Sequence, residues 1–142
     1  MKTTNDLMNI LNEIDSDKSL DEYLEKIEKY KDLNYLDYYL TVIKDHSVSK
    51  NDVVKDSGLN RTYCYQMLNG TRKPGRDNAI ALCIAGKLNI AETVRYLELL
   101  ELATLYPKDM RDSIIIYSIN RGLTITETNE LLYSKKEKTL GE

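Results

Sequence analysis

Apolar residues recur three and four positions apart along most of the chain. No run alternates apolar and polar residues for long enough to make a strand. That spacing selects helices, and only two prolines, Pro74 and Pro107, interrupt it. An all-α fold is therefore expected. A length of 142 residues fits one domain, or one domain with extensions. The balance of 42% hydrophobic and 30% charged residues suits a globular chain rather than a disordered one. Apolar runs such as Ile114 to Tyr117 are too short to span a bilayer, so no membrane partner is expected. Met1 to Asp6 carries no apolar segment of the secretory kind. Two cysteines are too few for a disulfide framework, which points to a reducing, cytoplasmic setting. All the aromatic residues are tyrosines, 11 of them, so each buried ring must also place a hydroxyl.

Cap signals divide the chain into helices. Asn5 caps a first helix bearing Leu7, Met8, Ile10, Leu11 and Ile14. Ser19 and Glu22 have capping-box spacing, with Leu20, Tyr23, Leu24, Ile27 and Tyr30 following. Tyr35, Leu36, Tyr39, Leu40 and Ile43 form the next stripe, which ends near His46. Ser49 caps a short helix carrying Val53 and Val54, and Gly58 stops it. Asn60 caps another, with Cys64, Met67 and Leu68 inward and Gly70 at its end. Further helices are expected from Arg76 to Lys87, from Ile90 to Leu105, and from a cap at Asp109 to Ile119. A last one follows the capping box of Thr124 and Glu127, and the tail from Ser134 reads as polar and frayed.

Charge is unevenly spread along this series. Residues 1–48 hold 6 lysines against 11 acids, residues 49–76 hold 6 basic against 2 acidic residues, and residues 77–142 hold 8 against 10. A basic island within an acidic chain, whose net charge is −3, can mark an anion-binding face. For charge alone, chance clustering on a solvated surface is the favoured explanation.

The island coincides with the two short helices on either side of Gly58-Leu59-Asn60. Their small apolar faces imply crosswise packing through Val53, Val54, Leu59, Cys64 and Met67. That spacing fits a helix-turn-helix, whose second helix enters the DNA major groove. With Cys64 and Met67 inward, the opposite face presents Arg61, Thr62, Tyr65 and Gln66. Arg can bind guanine bidentately, and Gln can bind adenine in the same way. Arg72, Lys73 and Arg76 follow in and after the loop, where they suit phosphates.

The run Val48-Ser49-Lys50-Asn51-Asp52-Val53-Val54-Lys55-Asp56-Ser57-Gly58-Leu59-Asn60-Arg61-Thr62, followed by Met67-Leu68-Asn69-Gly70-Thr71-Arg72-Lys73-Pro74, resembles the lambda-repressor-like, Cro-type (XRE) helix-turn-helix family. The resemblance covers roughly residues 34–102. The turn glycine matches Gly58, and the Asn-Gly closing the second helix matches Asn69-Gly70. It implies a five-helix DNA-binding bundle at 34–105, flanked by helical extensions at 1–33 and 106–142. It also implies a phosphate contact at Lys50, base contacts at Arg61, Thr62 and Gln66, and a backbone contact at Asn69. Lys50 stands where the family usually has Gln, Val54 where it usually has Ala, and Tyr63 and Tyr65 are bulkier than is typical.

Other chemistry finds little support in these residues. His46, the only histidine, sits near a helix end, where its charged form suits the dipole. Cys64 and Cys83 read as small buried hydrophobes, and one histidine with two distant cysteines makes no zinc site. Asp109, Arg111 and Asp112 are explained by a capped helix start. No catalytic constellation, phosphate loop or cofactor motif is present in the sequence, so no enzyme, metal or cofactor is expected. Two functions remain in view. One is a sequence-specific DNA-binding transcriptional regulator, acting on double-stranded DNA as a homodimer. The other is a protein-binding adaptor or antitoxin-like module on the same fold, using its acidic outer helices.

Overall fold

The computed structural model describes residues 17–141, and these form helices joined by turns, with no strand among the described residues. The helices are α1 (Asp17–Tyr30), α2 (Tyr35–Asp45), α3 (Lys50–Asp56), α4 (Arg61–Leu68), α5 (Arg76–Ala85), α6 (Ile90–Leu99), α7 (Met110–Arg121) and α8 (Ile125–Ser134). The helix expected after Asn5 lies outside the described residues.

The middle of the fold is α5. Every residue from Ala79 to Ala85 is buried, as befits a helix that is apolar on all sides. It packs against α3, α6 and α8, while α2 lies on α6 and α7 joins α6 to α8. One cluster of buried side chains runs from Tyr38 through Cys64, Leu82, Leu97 and Ile115 to Leu140. The C-terminal helices therefore share the core with α2–α6. Within that core the Tyr39 hydroxyl donates to the Leu82 carbonyl at 2.6 Å, and burial pushes its pKa up.

The helix starts follow the caps. Ser49, Asn60, Asp109 and Thr124 each accept the backbone N–H three residues on, and Asn34 and Asn89 do the same. Ser19 does not start a helix, because α1 is already under way at Asp17. The helix ends differ more from expectation. α6 stops at Leu99 rather than Leu105, with Glu101 in the left-handed region at φ 59° and Leu102 N–H bonded to the Leu97 carbonyl. The same six-to-one closure follows α2, α5, α7 and α8, through Val48, Leu88, Leu123 and Glu137.

The tail after Ser134 is not frayed. Leu140 is 3% exposed, and its N–H and carbonyl both bond the Asn129 side chain, at 2.7 and 2.9 Å. Arg111 holds the carbonyls of Lys138 and Thr139. A Cβ on Gly141 would lie 3.5 Å from Leu59, so Gly141 sits against the turn between α3 and α4.

Candidate nucleic-acid interface

The turn between α3 and α4 is fixed from inside. The buried Ser57 hydroxyl accepts from Leu59 N–H at 3.2 Å and lies 3.7 Å from the Cys64 sulfur. Gly58 adopts φ +72°, and a Cβ there would meet Ile125 of α8 at 3.4 Å. Asn60 then caps α4 by accepting from Tyr63 N–H at 3.1 Å. Cys64, Met67 and Leu68 are buried, at the i, i+3 and i+4 spacing of one helix face. That anchoring leaves Arg61, Thr62 and Tyr63 exposed and Tyr65 and Gln66 half-buried. No described segment of the chain covers the outer side of α4's first turn.

The outward side chains hold one another in place. The Tyr65 hydroxyl donates to Asn51 Oδ1 at 3.0 Å, and the Arg61 guanidinium lies over the Tyr65 ring, 5.3 Å from its centroid. Arg72 donates from Nε to Gln66 Oε1 at 3.1 Å and stacks over Tyr63 at 4.4 Å. Its backbone N–H also bonds the Gln66 carbonyl at 3.1 Å. Arg72 thus bridges the loop to α4, with its Nη donors left without an acceptor among the described residues. Lys50 is exposed at the first position of α3. Asn69 is exposed at the C-cap of α4, where its side chain accepts from Thr71 N–H at 3.0 Å. Lys73 lies 6.0 Å from the Tyr35 ring centroid. Lys50, Arg61, Arg72 and Lys73 take part in no ion pair among the described residues.

Arg76 is different, and the expectation of a phosphate contact there is corrected. Its guanidinium turns inward and makes four hydrogen bonds. Two go to the carboxylate of Asp112, at 3.1 and 2.8 Å, and two to the carbonyls of Ala103 and Thr104, at 2.8 and 2.9 Å. These carbonyls lie in the turn after α6, so Arg76 closes that turn. The reading of Asp109, Arg111 and Asp112 as a capped helix start is also incomplete. Asp109 does cap α7, but Arg111 pairs with Asp77 at 2.9 Å while Asp112 pairs with Arg76. Two Arg-Asp dipeptides, Arg76-Asp77 and Arg111-Asp112, exchange partners crosswise between α5 and α7. Their repetition at two helix starts is a signal that the sequence carries. Burial works to raise the Asp112 carboxyl, but Arg76 and the Tyr106 N–H outweigh it and hold the group below the ordinary carboxylate range.

The remaining polar candidates serve packing. Cys64 and Cys83 are both free and buried, and burial pushes both thiols up. His46 is the C-cap of α2, and its ring lies 2.8 Å from a Glu92 carboxylate oxygen. Tyr63 and Asn51 are the residues of the face that reading one helix at a time does not select. Their roles depend on the loop and α3 folding beside α4.

Comparison with protein-family models, with curated proteins and with solved structures gives no match for this chain.

Proposed function

We propose that α3 and α4 form a helix-turn-helix of the lambda-repressor-like, Cro-type kind and that the chain is a sequence-specific DNA-binding regulator of transcription. The observation carrying this reading is the uncovered first turn of α4. Arg61 and Thr62 stand exposed there, Gln66 is oriented by Arg72, and Lys50, Asn69 and Lys73 lie at the flanks. In this reading Arg61, Thr62 and Gln66 face base edges, with Tyr65 supporting Arg61. Lys50, Asn69, Arg72 and Lys73 hold phosphates and set the register. Arg76 has no part in it.

The test is the salt dependence of binding to a random-sequence duplex. Three cations per protomer at phosphates, Lys50, Arg72 and Lys73, give a slope of log affinity against log salt of about −2.7 per protomer. Lys73→Ala should make it less steep by about 0.9. Binding that is absent at low salt, or indifferent to salt, rejects the reading. One observation favours the adaptor or antitoxin-like alternative. Leu20 and Leu24, on the acid-rich α1, are 36% and 50% exposed and offer an apolar surface for a basic protein. On that alternative the duplex shows no binding at any salt.

A further inference from the structure

The side-chain amides on and beside α4 all turn their oxygens inward. Asn51 Oδ1 accepts from the Tyr65 hydroxyl at 3.0 Å, and Asn60 Oδ1 accepts from Tyr63 N–H at 3.1 Å. Asn69 Oδ1 accepts from Thr71 N–H at 3.0 Å, and Gln66 Oε1 accepts from Arg72 Nε at 3.1 Å. Gln66 has no choice in this. A guanidinium only donates, so the atom that meets it is the amide oxygen and the NH2 group is the free end.

Acids are missing from the same region. The chain carries 23 Asp and Glu residues, yet none falls between Ser57 and Arg76. The side chains on the outer side of α4 therefore offer chiefly hydrogens. Besides the occupied amide oxygens, their acceptors are the hydroxyls of Thr62, Tyr63 and Tyr65, and the last of these already faces Arg61 Nη2 at 3.5 Å.

A surface of donors discriminates among base edges. In the major groove guanine shows two acceptors, N7 and O6, whereas adenine shows one acceptor beside an amino group. Thymine shows one acceptor and a methyl group, and cytosine an amino group. A free glutamine suits adenine because its oxygen accepts from N6 while its NH2 donates to N7. Gln66 is not free. An adenine amino group approaching Oε1 would meet Arg72, whose positive charge and further N–H donors oppose it. The Gln66 NH2 can still donate to N7 or O6 of guanine.

We infer that this face selects guanine at two positions, one read by Arg61 and one by Gln66, and that the Arg72–Gln66 bond is what turns Gln66 from adenine to guanine. Arg72 is then a positioning residue. Its Nε holds the amide, while its Nη groups stay free for a phosphate. The inference rests on the helix-turn-helix reading and names the base edges which that reading leaves open.

Selection of bound duplexes by the full chain at low salt tests it, with Gln66→Ala in parallel to locate the position that Gln66 reads. The wild type should recover guanine there. Adenine in its place should lower affinity about fivefold or more. Replacing that guanine by 7-deazaguanine, which keeps the base pair but removes N7, should weaken binding severalfold. Arg72→Met frees the Gln66 oxygen. It should weaken binding to every duplex and also move the preference at that position from guanine to adenine, which loss of a phosphate contact alone would not do. Lys73→Met should weaken binding with the preference unmoved, and Gln66→Lys, with donors and no oxygen, should keep guanine. A wild-type motif with adenine at the Gln66 position overturns the inference and leaves the proposed function standing. An Arg72→Met variant that keeps the guanine preference does the same, as does a motif unchanged by Gln66→Ala. Failure of the wild type to enrich any duplex overturns both.

Discussion

Arg76→Met separates a structural role for Arg76 from a nucleic-acid role. The substitution keeps part of the aliphatic stem and removes all four hydrogen bonds. The Ala103 and Thr104 carbonyls lie on a turn that water can reach, so their loss costs little. Asp112 is the expensive partner, because it is 5% exposed and keeps only the Tyr106 N–H. Breaking one side of a buried pair costs about 3–5 kcal/mol. For a chain of this size that is a fall in melting temperature of about 10–15 °C. The pH dependence gives a sharper check. In the wild type the folded Asp112 carboxyl is depressed, so its contribution is complete above the unfolded value and is lost as pH falls through the folded value. Without Arg76, burial remains and the folded value rises. The variant then loses stability as pH climbs past about 4, the ordinary value for an aspartate. Urea denaturation followed by circular dichroism from pH 3 to 7 should show a small gap between the two proteins at the acid end and the full gap by pH 7. A gap under about 1 kcal/mol at neutral pH, or one constant with pH, refutes the reasoning.

Three further outcomes are expected. The Tyr38 hydroxyl is buried with no partner among the described residues, while its ring meets Tyr30 edge-on at 5.7 Å. Tyr38→Phe should therefore raise stability by about 1 kcal/mol in a denaturant titration, and any loss contradicts the burial. Leu140→Ala should cost about 2–5 kcal/mol, as for a buried leucine. No change in the melt would mean that the tail is not docked. Gly86→Ala should cost about 1–3 kcal/mol although its φ of −81° suits alanine. The added Cβ would lie 2.7 Å from Ile43 Cγ2, 2.8 Å from the Tyr39 hydroxyl and 3.0 Å from the Leu82 carbonyl. A neutral result in the same titration would show that α2 and α5 are not so close.

Helix starts were legible in the sequence because a cap is a local device. Ser49, Asn60, Asp109 and Thr124 satisfy backbone donors within their own next turn. Helix ends were less so. Ser47, Lys87, Glu101 and Lys136 close helices in the left-handed region without being glycine, at φ 59–63°. At three of these ends the residue that follows, Val48, Leu88 or Leu102, is buried or half-buried in the core, so tertiary packing rather than the closing residue selects the stop. Within the candidate site, the helical period alone separates Cys64, Met67 and Leu68 from Arg61 and Thr62. The period says nothing of Arg76, which points toward α7 because Asp112 is there. Nor does it show that Gln66 shares its amide oxygen with Arg72, so that the two side chains act as one unit.

The most direct measurement is selection of bound duplexes from a genomic or randomised library at low salt, with wild type and Gln66→Ala in parallel. The wild type should enrich a recurring motif. The variant should bind that motif about 1–3 kcal/mol more weakly while keeping its affinity for random duplex. Failure of the wild type to enrich any duplex, or equal loss on motif and random DNA, would mean that α4 does not read a groove.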